Sequence, residues 1–261
     1  MSFERRALGG GGRALVATEL ERSGFLVAFT ERGGGSSAGP FDSLNLSQAV
    51  GDDPEAVRAN RSRVADSLGL GGPFALPEQV HGAGLAWVDG ANGGAGFDDP
   101  ADRLPGADAL ATRERGIPVA VLTADCLPVA MVSPKSGLLA VVHAGWRGLA
   151  AGILPAVLGE LGDPGEVLAA VGPAIGPDHY EVGLDVAERV GAATDDGAAT
   201  EQRDGRLFLD LAGTAEATLR SLGVGRVDVA RVCTACEPAR LFSHRRDDGT
   251  TGRQAVVAVR R

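Results

Sequence analysis

The sequence predicts a single α/β domain, residues 1–261, with mixed β-sheets. Apolar segments typical of buried strands alternate with helical patterns along the chain, without the strict period of repeated βαβ units. A hydrophobic content of 44% in 261 residues is ample for a large buried core. No linker or internal repeat divides the chain. One α/β domain is therefore the simplest prediction.

The first 20 residues include a run of glycines and several arginines, and this N-terminal stretch is expected to be frayed. The segment FLVAF at 25–29 predicts the first strand. A helix is predicted to begin at Pro54, because Asp53 is a suitable cap and apolar residues recur until the LGLGG stop at 68–72. The next expected features are a short strand at 85–88 and a Gly/Asp-rich surface loop at 90–106.

The second half contains continuous apolar segments, which predict strands covered on both faces by helices or another sheet. Two of them, IPVAVLTADC and GLLAVVHAGW, each end next to a residue with ligand chemistry. The other expected elements, in order, are one helix at 148–161, a strand and turn at 169–176, a helix at 184–190, a polar insertion at 194–206, a strand followed by a helix ending at Leu219, and strands at 226–233 and 253–260.

Charge and cysteine content exclude several classes of protein. A net charge of −9 opposes nucleic-acid binding, which depends on Lys and Arg neutralising phosphates. No apolar stretch reaches the length of a signal peptide or membrane span, so a soluble cytoplasmic protein without membrane partners is expected. Three cysteines are too few for a disulfide framework, and reduced thiols are expected.

Three side chains at the ends of apolar segments carry the main functional prediction: His81, Cys126 and His143. Each alone is typical of a protein core, but the chain has only four histidines, and two of these lie beside glycine in strand-end loops. Three such ligands without an evident fourth leave one position for water or substrate. The pattern favours a catalytic metal over a structural one.

Two polar residues adjoin this group. Asp125 either accepts a hydrogen bond from a ligating histidine or orients water on the metal, and its alternative is a turn cap. Arg147, in GWRG, is a candidate for bidentate binding of phosphate or carboxylate. Its alternatives are stacking on Trp146 and pairing with a surface acid.

Two further groups lie towards the C-terminus. His244 and Arg245 belong to a cationic Gly-containing loop that suits an anionic or polar substrate, although such clusters are usually solvated. Cys233 and Cys236 form a CTAC motif that is either a redox pair or half of a zinc site, and for this isolated pair a local role is expected. His179 is a candidate fourth ligand for the first group, with an ordinary turn as the alternative.

The chain resembles, over nearly its full length, the bacterial YfiH-type family, labelled polyphenol oxidase or laccase-domain proteins and later regarded as purine nucleoside phosphorylases. The resemblance rests on these ordered motifs: FTERGG, GPFDSLNLS, VGDDPEAVRANR, QVHG, ADALAT, TADCLPV, HAGWRG, GPAIG, YEVG and FSHRRDDGTTGRQ. One departure is that many relatives carry a Cys pair where this chain has Asp178 and His179.

The resemblance implies a sandwich of mixed sheets flanked by helices, similar to the catalytic domain of cytotoxic necrotising factors. It also implies that His81, Cys126 and His143 bind a catalytic metal, usually zinc and sometimes copper. The implied partners are phosphate and a purine nucleoside: adenosine, inosine or methylthioadenosine. Adenosine deamination is an implied side activity, and peptidoglycan editing is an alternative role. A monomer or homodimer is expected.

The residues leave further functions open. Four histidines cannot supply a mononuclear copper and a trinuclear cluster, which excludes four-copper oxidation but not weak phenol oxidation at one copper. A second enzymatic class is amide hydrolysis, with Cys126 as thiolate nucleophile and His143 as base. A third hypothesis is a non-enzymatic protein that binds a partner in cell-wall synthesis. It predicts that variants of the three metal-ligand residues retain function.

Overall fold

The computed structural model describes residues 2–194 and 199–261. The strands in these residues are β1 Phe3–Ala7, β2 Arg13–Ala17, β3 Phe25–Thr30, β4 Leu85–Val88, β5 Ala109–Thr112, β6 Val119–Thr123, β7 Leu127–Ser133, β8 Leu138–Ala144, β9 Leu168–Val171, β10 Glu181–Val182, β11 Thr200–Arg203, β12 Arg206–Leu209, β13 Arg226–Val229 and β14 Gln254–Arg260. The α-helices are α1 Thr18–Arg22, α2 Pro54–Leu68, α3 Trp146–Ala150, α4 Ile153–Leu161, α5 Leu184–Ala192 and α6 Leu211–Ser221.

The strands form three sheets. The first is antiparallel, in the order β1-β2-β3-β14-β6. The second is mixed, in the order β13-β9-β7-β8-β5-β4, with parallel pairing of β13 with β9 and of β4 with β5. A small antiparallel sheet has the order β10-β12-β11. The predicted α/β class with mixed sheets and flanking helices is confirmed.

The two large sheets pack face to face, and helices cover their outer faces. Val27 of β3 and Ala130 of β7 belong to the apolar layer between the sheets. Their neighbours Ala28 and Val129 point the other way, Ala28 into the layer that contains α2 and Val129 into the layer that contains α4 and α6. Both faces of these strands are buried, as the continuous apolar segments predict. The central strands are therefore rigid supports for the residues that follow them.

Helix α2 begins and ends as its sequence predicts. The Asp53 side chain accepts a hydrogen bond from the backbone N–H of Glu55, and Pro54 occupies the first turn, where no amide donor is needed. Gly69 ends the helix with φ of 59°, a left-handed conformation that favours glycine. The helix packs Val64 and Leu68 against the first sheet.

Three expectations about individual elements need correction. The opening stretch is not frayed at residues 3–17, where β1 and β2 pair as an antiparallel hairpin. The single helix predicted at 148–161 is divided into α3 and α4, because Gly152 adopts φ of 77°. The polar insertion at 194–206 contains β11, which pairs with β12, while residues 195–198 of that prediction lie outside the described residues.

Among residues 2–194 and 199–261, no helix is both long and apolar enough to cross a membrane. The single-domain boundaries and the likeness to cytotoxic necrotising factors remain predictions.

Candidate metal centre

The three side chains singled out from the sequence lie together in the structure. His81 comes from the loop before β4, Cys126 from the turn between β6 and β7, and His143 from β8. The Sγ atom of Cys126 is 4.0 Å from Nε2 of His81, and the two imidazole rings are 4.8 Å apart, nearly perpendicular at 79°. All three donor atoms lie within 4.8 Å of one another. We call this group the triplet.

The backbone around the triplet is held in unusual conformations. Gln79, His81 and Asp125 have φ of 65°, 61° and 87°, in the left-handed region that non-glycine residues rarely adopt. The Gln79 side chain bonds both backbone groups of Leu122, donating over 2.7 Å and accepting over 2.9 Å, and so fastens its loop to β6. Strain held in place by such contacts is typical of functional sites.

Asp108, which the sequence analysis missed, joins two members of the triplet. Its fully buried carboxylate accepts hydrogen bonds from the backbone N–H groups of Val80, His81 and Gly82. Its Oδ1 is also 2.8 Å from Nδ1 of His143. This bond leaves Nε2 of His143 free to face the site. Asp108 therefore fixes the position of the His81 loop and the orientation of the His143 ring.

Asp125 does not make the histidine contact predicted for it. Its carboxylate accepts hydrogen bonds from Thr234 Oγ1 over 2.5 Å and from the Arg245 backbone N–H over 2.6 Å. The carboxylate that contacts a histidine of the triplet is Asp108 instead. Asp125 connects the turn that carries Cys126 to two C-terminal segments.

The charges of the triplet reinforce one another. Burial opposes ionisation of Cys126, but the charge and hydrogen bond of His143, with a hydrogen bond from His81, lower the pKa of the thiol to about 6. Burial likewise opposes the charged form of His143, but Cys126 and Asp108 raise the pKa of its imidazole to about 9. Despite its burial, Asp108 has a lowered pKa because His143 and the backbone donors favour the carboxylate. At neutral pH the triplet thus pairs a thiolate with a protonated His143 ring, and Nε2 of this ring must lose its proton to bind a metal.

The space between the donors fits a metal ion. Gly145 follows β8, and a Cβ atom at this position would lie 3.0 Å from the Cys126 sulfur and 3.4 Å from Cδ2 of His81. A side chain there would therefore crowd two of the donors. Two imidazoles and one thiolate are ligands for zinc or copper, and three protein ligands leave a fourth position open. The triplet could hold either metal.

A cavity of about 310 Å³ opens beside the triplet. The residues that line it are Ser47, Ala49, Val50, Glu78, Gln79, His81, Arg103, Leu122, Thr123, Ala124, Cys126, His143, His244 and Arg253. His244 is thus the one member of the predicted substrate group, Arg147, His244 and Arg245, that lines it. The volume is at the lower end of the range for small-molecule sites.

Two arginines of the cavity wall were missed from the sequence. Arg103 has buried Nε and Nη2 atoms without a hydrogen-bond partner among the described residues. Arg253 donates to the backbone carbonyls of Thr251 and Gly252, and burial lowers its pKa although Cys126 and Asp125 oppose the shift. Burial also lowers the pKa of Arg103. These cations make the cavity suitable for an anion, although the chain as a whole is acidic.

Arg147 and Arg245 lie outside the cavity lining. The Arg147 guanidinium stacks on Trp146 at 4.5 Å from the ring centroid, one of the alternatives considered from the sequence. The Arg245 guanidinium donates to the backbone carbonyl of Glu181 and lies 5.2 Å from the Tyr180 ring centroid. His179 is grouped with Cys233 and Cys236, so it is not the fourth ligand of the triplet.

An antiparallel sheet packed on a mixed sheet, with two imidazoles and a thiol at a cavity beside the strand ends, defines an α/β protein with a potential metal centre. Residues 26–261 match the family described as multi-copper polyphenol oxidoreductase laccase, and the chain belongs to this family, which includes the YfiH-type proteins.

Its relatives include proteins with a different functional name. The chain is 45% identical over 238 residues to purine nucleoside phosphorylase SCO2081 of Streptomyces coelicolor, covering 89% of this chain and 94% of that protein. It is 38% identical over 252 residues to purine nucleoside phosphorylase YlmD of Geobacillus stearothermophilus, covering 92% and 91%.

Solved structures share the fold over the whole chain. The crystal structure of YlmD from Geobacillus stearothermophilus has a TM-score of 0.93 at 37% identity, covering 100% of this chain and 99% of that one. The crystal structure of YfiH from Bacillus licheniformis has a TM-score of 0.91 at 29% identity, covering 99% of both chains.

Proposed function

We propose that this protein is a metal-dependent purine nucleoside phosphorylase that acts on adenosine, inosine and methylthioadenosine in the cytoplasm. The observation that carries the proposal is the triplet of His81, Cys126 and His143 at a cavity whose wall contains two half-buried arginines, Arg103 and Arg253. The names of the relatives from Streptomyces coelicolor and Geobacillus stearothermophilus support the choice of reaction. Zinc is the proposed metal, with copper as the alternative.

The roles of the residues follow from their contacts. When bound, the metal supplies a Lewis acid with one open coordination position. Asp108 keeps His143 in the tautomer whose Nε2 faces the site, while Cys126 contributes a thiolate. In this proposal Arg103 and Arg253 hold phosphate, and His244, which lines the same cavity, contacts the nucleoside or phosphate. Fixing phosphate near the sugar carbon makes its attack on the glycosidic bond an oriented reaction.

Adenosine deamination is the proposed side activity. It uses water rather than phosphate, so it needs the triplet but not an anion pocket. The triplet, proposed to activate water, and the two arginines, proposed to bind phosphate, lie in the same cavity, which supports both reactions there. The two activities are therefore separable by mutation of the arginines.

Product analysis by mass spectrometry tests the proposal. Adenosine, inosine and methylthioadenosine are each incubated with the protein, with and without phosphate. We expect the free base and the sugar 1-phosphate only when phosphate is present, and inosine from adenosine under both conditions. Absence of sugar phosphate with all three nucleosides would contradict phosphorolysis.

Replacement of Arg103 by methionine is expected to raise the KM for phosphate about tenfold or more, since a charge-assisted contact worth about 1.4 kcal/mol or more is lost. Deamination of adenosine should change much less. Steady-state kinetics with phosphate as the varied substrate measures the effect. Arg113→Met is a matched control because Arg113 is exposed and packs on Trp87, outside the cavity lining.

The same measurement compares Arg103 with Arg147, which the sequence singled out for phosphate. A raised phosphate KM in Arg147→Met together with an unchanged value in Arg103→Met would assign the anion site to the Trp146 side. Arg103→Lys should restore binding only in part, because an ammonium cannot reproduce the guanidinium fork.

A second candidate function is amide hydrolysis by a thiolate–imidazole pair, including editing of peptidoglycan precursors. It is favoured by the lowered pKa of Cys126 beside His143. Chelation separates the two candidates. Full activity on an amide substrate in chelator, with loss after thiol alkylation, would support the hydrolase.

A further inference from the structure

A second group of metal-type ligands lies outside the catalytic cavity. His179, Cys233 and Cys236 place one nitrogen and two sulfur atoms within 4.8 Å of one another. Nδ1 of His179 is 3.7 Å from the Cys233 sulfur and 3.5 Å from the Cys236 sulfur. One imidazole faces both thiols, so the CTAC motif has a third donor that its sequence spacing did not reveal.

The backbone fixes the two segments that carry these donors. Ala174 pairs with Cys233 in a parallel bridge, and the Thr234 backbone N–H donates to the Ala174 carbonyl over 2.9 Å. Residues 176–179 form a turn in which the His179 backbone N–H donates to the Gly176 carbonyl over 3.0 Å. The donors therefore come from two segments that are held in register by hydrogen bonds independent of any ion.

Gly176 shows how closely the segments approach. Its backbone N–H donates to the Cys233 sulfur over 3.2 Å. A Cβ atom at this position would lie 3.2 Å from Cβ and 3.3 Å from Sγ of Cys233. A side chain at position 176 would press on Cys233, so the close approach of the two segments depends on glycine.

We propose that His179, Cys233 and Cys236 form a second, zinc-class metal site. Two thiolates in a Cys-x-x-Cys turn and one imidazole suit tetrahedral zinc, with the fourth position taken by water. The site is separate from the catalytic cavity, because His179, Cys233 and Cys236 are not among the residues that line that cavity. It does not rest on the proposed phosphorylase function.

The second site is connected to the triplet through Asp125. Thr234, between the two cysteines, donates its hydroxyl to Asp125, the neighbour of Cys126. Arg245 donates its backbone N–H to the same carboxylate and its guanidinium to the carbonyl of Glu181, just beyond His179. An ion at the second site would fasten the 176–181 turn to the 232–236 segment and brace the turn that carries Cys126.

Zinc stoichiometry tests this inference without any nucleoside. The metal-free, reduced protein is titrated with zinc, desalted and analysed for bound metal. We expect about two zinc ions per chain in the wild type and about one in the Cys233→Ser/Cys236→Ser double variant, where only the triplet remains. Cys126→Ser should also bind about one ion, but at the second site. His179→Gln, in an exposed turn, provides a milder variant if the double variant does not fold.

Cobalt substitution gives a second readout. Thiolate-to-cobalt absorption should fall by more in the double variant than in Cys126→Ser, because the second site contributes two thiolates and the triplet one. Equal zinc content in the wild type and the double variant would overturn the inference. So would a Cys233–Cys236 disulfide, detected by intact mass and thiol counting, that persists in protein prepared with reductant.

Discussion

Replacement of Cys126 by serine is expected to lower nucleoside turnover roughly a thousandfold, equivalent to about 4 kcal/mol in the activation barrier. The change removes the only sulfur of the triplet, and a serine hydroxyl remains protonated where the thiol, with a pKa of about 6, is a thiolate. Its two histidines alone are a weak zinc site. Turnover and bound zinc, measured on the same preparation, check this result.

The fold should survive this substitution. Serine is nearly isosteric with cysteine, and the flanking Asp125 keeps its bonds to Thr234 and Arg245. Thermal unfolding should therefore stay close to that of the wild type. Lys135→Ala is a suitable control, since Lys135 is exposed at the far end of the β7–β8 hairpin. Undiminished turnover in metal-free Cys126→Ser would exclude both the metal and the thiolate mechanism.

Replacement of Asp108 by asparagine should have the second-largest effect. Four groups face this buried carboxylate: the backbone N–H groups of residues 80–82 and the His143 ring. The NH2 group of asparagine would be a further donor and would find no acceptor among them. A group left unsatisfied there costs about 1–3 kcal/mol of folding stability. Loss of the carboxylate–histidine contact should weaken zinc binding about 10- to 100-fold. Chemical denaturation and competitive zinc titration measure the two effects.

Asp125→Asn is the matched comparison for this prediction. Asparagine tolerates the positive φ of Asp125, and the substitution leaves the contact between Asp108 and His143 in place. Zinc affinity at the triplet should therefore change less than in Asp108→Asn. The reverse order of affinities would return the metal-orienting role to Asp125, as the sequence first suggested.

The triplet was visible in the sequence because each member stands next to an apolar strand or a glycine in a short motif. Asp108 was not, because its importance arises from long-range packing. Its neighbours in ADALAT form β5, its three backbone donors come from a loop 26 to 28 residues away, and the His143 ring is 35 residues away. The one local indication is an acidic residue at the start of an otherwise buried segment.

The cationic wall of the cavity was missed for a similar reason. Arg103 lies in a Gly/Asp-rich loop that predicts solvent exposure, and its partial burial follows only from the packing of that loop beside the triplet. Conversely, Arg147 is close to His143 in the chain, but its guanidinium stacks on Trp146. Proximity to His143 in the sequence was therefore a poor guide to which arginines line the cavity.

Strand positions were predicted where apolar residues run without interruption, as in β3, β6, β8 and β14. The β1–β2 hairpin was missed because its glycines and arginines mask the apolar ALVA run at 14–17. Strand β7 was not predicted from the sequence. It contains Pro128, which has no backbone N–H to donate to a neighbouring strand and therefore weakens a strand prediction. The order of strands in the mixed sheet depends on pairings between distant segments, which local patterns do not specify.

The central claim is that a metal held by His81, Cys126 and His143 supports phosphorolysis. The most direct measurement adds zinc stepwise to metal-free protein and follows sugar 1-phosphate formation from a purine nucleoside in phosphate. We predict negligible product without metal, a rise as zinc fills the triplet, and no recovery in Cys126→Ser. Full phosphorolysis by the verified metal-free protein, unchanged on adding zinc or copper, would contradict the claim.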